Sequence, residues 1–262
     1  MGKTIVIKYG GSAMQSEELK AGVMEDVVRL TAESEVVLVH GGGPEISALQ
    51  KRLGTAPRFV DGLRYTDEGT IETALMALCG KVNKDLVRLF ENAGGKAAGI
   101  SGIDGSLLTC CRIKEPDIGF VGEIREVRTD LISTLLRAGY TPIVSTIGLG
   151  DDGLAYNINA DTAAGRIASS LSADFYVTIS DVPGVLSDKD DPASLIPEIR
   201  ISEIESMIES GVISGGMIPK VRGLAGAVRR GAGAAQIVDG RIPHVLGKCM
   251  AGSCTGTRLV NG

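Results

Sequence analysis

Three glycine-bearing stretches hold the residues whose types and spacing could do chemistry: Lys8-Tyr9-Gly10-Gly11-Ser12, His40-Gly41-Gly42-Gly43-Pro44, and Gly215-Gly216-Met217-Ile218-Pro219-Lys220. Glycines let successive backbone N–H groups turn inward on an anion. Helix N-termini add positive potential, and lysines neutralise charge that accumulates on a group in transfer. Taken together the three stretches read as a phosphoryl-transfer site, although each alone would fit an ordinary turn. Lys8 ends a strand-like run, the place where an open α/β sheet presents its ligands; the plain alternative is a solvated lysine. Three glycines before Pro44 exceed what a tight turn needs, and Pro44 suits the first position of a following helix. His40 reads as a hydrogen-bonded packing residue and not as a base.

Further candidates surround these loops. Arg64 lies on a stretch able to cover the same edge, where a guanidinium clamps a carboxylate through paired N–H bonds; a lone arginine in a polar loop is usually solvated. Tyr156-Asn157-Ile158-Asn159-Ala160-Asp161 stands at the mouth of an Ala-rich helix. Asn159 or Asp161 could cap that helix, while Asn157 could hydrogen-bond a substrate and Asp161 could hold nearby lysines or orient a nucleotide-borne ion. Ile179 to Leu186, with the turn pair Pro183 and Gly184, is a candidate adenine or ribose loop. Lys220 falls one turn into a helix whose N-terminus points at whatever Gly215 and Gly216 hold, and Met217 reads as core.

These residues need a scaffold, and the alternation of short β-branched runs with amphipathic helices supplies one. Residues 4–8, 36–40, 96–101, 140–145, 175–180 and 236–239 read as strands. Leu19, Val23, Val27 and Leu30 share one helical face, as do Ala163, Ala164, Ile167, Ala168 and Leu171, and Met217, Val221, Leu224 and Val228. Strands this apolar, alternating with helices, predict an α/β fold with a mostly parallel sheet covered on both faces. Residues 104–127 read as β-hairpins on an edge or lid, and 147–158 as a turn. The 262 residues suffice for one large domain or two lobes on a continuous sheet. With no Trp and nine Phe plus Tyr, the core must be aliphatic.

The formal charge of −5 and the want of aromatic stacking platforms argue against nucleic acid as a partner. No run of about 20 apolar residues spans a bilayer, no signal peptide opens the chain, and a cytoplasmic location follows. Five Cys without a C-x-x-C pair read as free thiols. No P-loop or nucleophile-elbow motif occurs, and two distant His make a zinc site a poor fit. Gly148, Gly150 and Gly153 match the spacing of a dinucleotide loop, but Asp151 and Asp152 would repel a pyrophosphate.

In their order along the chain, KYGGSAM, LVHGGGPEIS, FVDGLRYTD, CGKVNKDL, GISGIDG, GFVGEI, YNINADTAA, SDVPGVL, GGMIPKV and GTRL resemble the amino acid kinases, and within them the branch acting on N-acetyl-L-glutamate. The resemblance implies a three-layer αβα sandwich in a single domain spanning 1–262. An N-terminal lobe of about 1–173 would take the amino acid substrate and mediate dimerisation, and a C-terminal lobe of about 174–262 would take ATP. It implies ATP-dependent phosphorylation of the N-acetyl-L-glutamate γ-carboxylate in arginine biosynthesis. Lys8 and Lys220 would be catalytic, with Asp161 organising them. Gly42, Gly43, Arg64 and Asn157 would bind the substrate, and Gly10 and Gly11 the phosphoryl group. Ser180, Asp181, Val182, Pro183, Gly184, Val185 and Leu186, with Val212, Ile213, Ser214, Gly215, Gly216 and Met217, would line the nucleotide site. The metal would be Mg2+ carried by ATP, with no site of the protein's own.

Relatives inhibited by arginine resemble one another in an added N-terminal helix that also builds hexamers. Here only Met1 and Gly2 precede Lys3, and Lys248 and Cys249 stand where those relatives carry an acidic residue. The expectation is therefore an arginine-insensitive homodimer. A nitrogen-status signalling protein is a further expected partner. Ile103 stands where many relatives have a lysine, and nothing in the sequence explains it. Two alternatives stay open: a kinase for an aminoadipate or glutamate side chain held on a carrier protein in lysine biosynthesis, and a non-catalytic amino acid or nucleotide sensor.

Overall fold

The computed structural model of the chain describes residues 2–10, 16–250 and 256–261. It opens with β1 (Lys3–Tyr9), α1 (Glu17–Leu30), β2 (Ser34–His40), α2 (Gly43–Arg52), and a hairpin of β3 (Phe59–Val60) and β4 (Leu63–Arg64). Then come α3 (Glu68–Ala74), a π-helical stretch (Leu75–Val82), α4 (Asn83–Asn92), β5 (Ala97–Ser101), β6 (Leu108–Lys114), β7 (Asp117–Val127) and α5 (Asp130–Arg137). The chain continues through β8 (Thr141–Ser145), β9 (Ile147–Gly150), β10 (Ala155–Asn157), α6 (Ala160–Ser170), β11 (Phe175–Ser180) and β12 (Glu198–Arg200). It closes with α7 (Ile204–Glu209), α8 (Met217–Arg229), β13 (Ala234–Asp239), α9 (Val245–Met250) and β14 (Gly256–Val260).

Eight strands make one sheet in the order β12-β14-β13-β11-β1-β2-β8-β5, and only the β13–β14 pair is antiparallel. Alternation along β1 explains the layers. Val6 joins Ala163 and Ile167 of α6 and Val221 and Leu224 of α8 on one face, while Ile5 and Ile7 join Val23 and Val27 of α1 and Leu86 and Phe90 of α4 on the other. Both faces of the central strands are thus dry, as near-continuous apolar runs require. Truncating a residue such as Ile7, fully buried among these neighbours, should cost about 2–5 kcal/mol. The expected mostly parallel α/β architecture is the one observed.

One expectation needs correction. Residues 104–127 do form an antiparallel β6–β7 hairpin, but they close with β9 and β10 into a small four-stranded barrel, so 147–158 holds two strands and not merely a turn. Gly148 and Gly150 misled the reading because they are close-approach positions. A methyl group at Gly148 would overlap Ile158, and one at Gly150 would overlap the Tyr156 ring. Cys79, Cys110 and Cys111 are free thiols, but Cys249 is disulfide-bonded, contrary to the expectation drawn from the missing C-x-x-C pair. No helix among the described residues is long and apolar enough to cross a membrane.

Candidate active site

At the carboxyl end of β2 the chain enters Gly41–Gly43 and then α2, with Gly42 as the N-cap and Pro44 in the first turn. Gly42 cannot be replaced without disturbance, since a Cβ there would stand 2.6 Å from Leu78 Cδ2 and 3.2 Å from Val82 Cγ2 of the π-helical stretch. His40 is fully buried. Its Nδ1 lies 2.8 Å from Gly41 O and its Nε2 3.1 Å from Asn83 Nδ2, and burial holds its pKa down at about 4. That is a neutral, packed imidazole, as its sequence position led one to expect.

Arg64 reaches the same loop from β4. The β3–β4 hairpin turns through Asp61 and Gly62, both at positive φ (49° and 80°), the backbone that an Asp-Gly pair favours in a two-residue loop. The hairpin docks on β7 through Thr66, whose N–H donates to Ile118 O at 2.9 Å. Arg64 is buried, and its three guanidinium hydrogen bonds all go to neutral groups: Nη1 donates to Gln50 Oε1 (2.8 Å), and Nη2 to Gly43 O (2.9 Å) and Ser47 Oγ (2.8 Å), while Cζ stands 4.9 Å from the centre of the Phe59 ring. Among the described residues no carboxylate comes within ion-pair distance of it, and burial draws its pKa downward. From the barrel, β10 delivers Asn157, whose Nδ2 lies 3.4 Å from Thr66 Oγ1. Gly41, Gly42, Gly43, Arg64 and Asn157 line one cavity of about 180 Å³ with Asn159 and Ala160. The residues expected to bind a substrate therefore meet.

Lys8 projects from the end of β1, mostly buried, and its Nζ stands 3.2 Å from Asp161 Oδ1 in the first turn of α6. The pair is an ion pair and not an aligned hydrogen bond, because Asp161 Oδ1 is buried without a hydrogen-bond partner. Gly10 accommodates Lys8: a Cβ at Gly10 would lie 3.3 Å from both Cε and Nζ. Lys220, on the first turn of α8, donates to Ser180 Oγ at 2.9 Å. Burial lowers its pKa, the Asp161 carboxylate opposes that shift, and the Lys8 ammonium adds to it. Asp161 thus pairs directly with Lys8 only, while Lys220 is held by Ser180 and feels the Asp161 carboxylate from beyond ion-pair distance. Asn159, not Asp161, caps α6, accepting from Thr162 N–H at 3.0 Å.

Beyond β11 a second cavity, of about 360 Å³, is lined by Asp181 to Leu186, Val212, Ser214 and Met217. Not every expected member belongs to it. Ser180 turns to Lys220 instead, Ile213 is buried in the core, and Gly215 and Gly216 lead into α8 without lining the space. Met217, read as core, both packs on the core and faces the cavity. Lys189 and Arg241 line it unannounced by any motif. Gly11 lies outside the described residues. Gln50, Ser47 and Asn83 were also missed, because each acts on a partner far away in sequence.

A family model described as the amino acid kinase family matches residues 3–239. The chain is 52% identical over 247 residues to an acetylglutamate kinase of Brachyspira hyodysenteriae (strain ATCC 49526 / WA1), covering 94% of this chain and 86% of that protein. It is 48% identical over 246 residues to an acetylglutamate kinase of Clostridioides difficile (strain 630), again 94% and 86%. Among solved structures it is similar to smu.665 from Streptococcus mutans UA159, with a TM-score of 0.83 at 26% identity and 100% of both chains covered.

Proposed function

The chain belongs to the amino acid kinase family, and from that premise we propose that it transfers the γ-phosphoryl group of ATP to the γ-carboxylate of N-acetyl-L-glutamate, a step of arginine biosynthesis. One observation carries the reading. In the sheet, β1 with Lys8 stands between β2, which leads into the Arg64 cavity, and β11, which leads into the cavity of residues 181–186.

The acceptor carboxylate is already ionised at pH 7, given a free Glu pKa of about 4.3, so no side chain has to remove a proton. What the chain must do is position and neutralise. Arg64 offers the buried positive charge that the acyl amino acid's carboxylate needs, and Gly42, Gly43 and Asn157 offer N–H donors beside it. Lys8 and Lys220 neutralise the charge that spreads over the transferring group, with Asp161 orienting Lys8 directly and acting on Lys220 through its field. Gly10 leaves the backbone open to the phosphoryl oxygens. Asp181, Val182, Pro183, Gly184, Val185, Leu186, Val212, Ser214 and Met217 form the nucleotide's walls. Among the described residues no group of three or more His, Cys, Asp or Glu is placed to cage a metal ion. The Mg2+ would be carried by ATP, with Asp161 the carboxylate paired with Lys8. When bound, that ion would offset phosphate charge.

We assign the substrate and dimer contacts to an N-terminal lobe of about 1–173 and the nucleotide to residues 174–262. A cytoplasmic homodimer and a nitrogen-status signalling partner complete the proposal; sedimentation and co-purification test them.

The deciding experiment is ATP-dependent acyl phosphate formation trapped with hydroxylamine, comparing N-acetyl-L-glutamate, L-glutamate and N-acetyl-L-aspartate. Turnover of N-acetyl-L-glutamate alone is expected. ATP binding without turnover of any of the three would overturn the assignment.

A further inference from the structure

Asn83 is a buried amide whose contacts fix its orientation: its Oδ1 accepts from Lys84 Nζ at 3.0 Å, and its Nδ2 lies 3.3 Å from Ile100 O. Its Nδ2 donates to Ile143 O at 2.8 Å, and a carbonyl can only accept, so the nitrogen is the atom that faces His40. At 3.1 Å, His40 Nε2 must then accept, which places the ring proton on Nδ1, where it is donated to Gly41 O at 2.8 Å. The peptide group is planar and trans, so a Gly41 carbonyl held toward the ring forces the Gly42 N–H the opposite way. That N–H has no partner among the described residues, and Gly42 lines the Arg64 cavity.

The π-helical stretch makes this arrangement fit. In an α-helix residues five apart point about 140° away from each other, whereas the wider π turn brings them nearer to one face. Leu78 and Val82 close on Gly42 while Asn83, next in the chain, reaches the ring. Gly99 leaves the room, since a methyl group there would overlap Asn83 Oδ1. Asn83 also ties the Ile143 and Ile100 carbonyls of two neighbouring strands, but those ties do not call for an imidazole at position 40, so the polar pair has a reason beyond them.

We propose that Asn83 and His40 are positioning residues for the glycine loop: Asn83 sets the tautomer of His40, His40 holds the Gly41 carbonyl inward, and the Gly42 amide is thereby aimed at a substrate oxygen. This rests on the assignment of the Arg64 cavity to N-acetyl-L-glutamate.

The test compares His40→Phe, which keeps volume, with His40→Gln, whose amide can both donate to Gly41 O and accept from Asn83. KM for N-acetyl-L-glutamate should rise roughly 10-fold in His40→Phe, the worth of one hydrogen bond, with KM for ATP unchanged, and His40→Gln should restore it. If His40→Phe does not fold, Asn83→Leu is expected to show the same selective rise. A normal KM in whichever of these two folds, or equal increases in both KM values, overturns the relay while wild-type turnover leaves the substrate assignment standing. Absence of wild-type turnover overturns the assignment and the relay with it.

Discussion

Two arginines, one in each cavity, are arranged in opposite ways. Arg64 is buried, its hydrogen bonds go to an amide oxygen, a carbonyl and a hydroxyl, its cation faces the Phe59 ring, and no described carboxylate pairs with it. Arg241 has a side chain 57% exposed and both carboxylate oxygens of Asp239 at 2.9 and 2.7 Å. A buried charge without a counter-ion is costly to keep, and the cost makes sense where an anionic ligand supplies the missing charge. An exposed charge already neutralised has little left to offer a ligand. The contrast separates a binding arginine from one that braces the end of β13.

The largest effect should belong to neither arginine. Lys8→Ala or Lys220→Ala is expected to lower turnover roughly 100-fold to 1000-fold, and a Lys220→Ala enzyme with near-normal kcat would remove that residue from the mechanism. Because burial depresses the Lys220 pKa, kcat should also fall on the alkaline side, below the ordinary lysine value. A pH profile of Lys220→Arg, which stays charged, should lack that limb.

Next, Arg64→Met should raise KM for N-acetyl-L-glutamate about 10-fold to 100-fold, as loss of a charge-assisted contact does, without touching KM for ATP. Gln50→Glu sharpens the comparison, since it gives Arg64 the kind of partner that Arg241 has. The same selective rise in KM is expected, and an unchanged value would show that compensation of Arg64 is irrelevant to binding.

His40, beside the Arg64 cavity, should register in stability. The unfolded ring takes up a proton near pH 6.5 and the folded ring only near pH 4. The contribution is therefore complete above pH 6.5 and declines as pH falls through that window, by on the order of 3 kcal/mol. Denaturant titrations of the wild type and His40→Gln at pH 7 and pH 4.5 check this, the variant being expected to lose less. The smallest effect on binding is expected for Arg241→Ala, below about threefold in KM for ATP, since its charge is already paired with Asp239. A large rise there would erase the distinction between the two arginines.

Much of this arrangement was legible in the sequence. The six strands read from β-branched runs lie within two residues of β1, β2, β5, β8, β11 and β13; in all but the edge strand β5, burial on both faces leaves a strong apolar signal. The short β12 carries no such signal, being an edge strand with one buried residue, and β14 is broken by the charged Arg258 between its buried positions. The glycine loops, Arg64, Asn157 and the 181–186 segment were visible because glycine, arginine and asparagine are unusual choices where they stand. Their supports were not. Gln50 meets Arg64 across fourteen positions and Asn83 meets His40 across forty-three, and nothing in either local pattern foretells the partner. The π winding of residues 75–82 was equally silent, because its apolar spacing passes for an ordinary helix.

The direct ladder between β1 and β11 runs from Ile5 opposite Phe175 to Tyr9 opposite Ile179. It ties the strand that ends at Lys8 to the strand that leads into the 181–186 loop. Neighbouring strands keep a spacing of about 4.8 Å, so the backbone acts as a stiff ruler between donor and acceptor. A hinge at this seam would have to tear backbone hydrogen bonds in the driest part of the protein. Approach of the two reactants must therefore come from sheet twist and from movement of the covering hairpins and loops, with the distance between the strands themselves set once, when the chain folds.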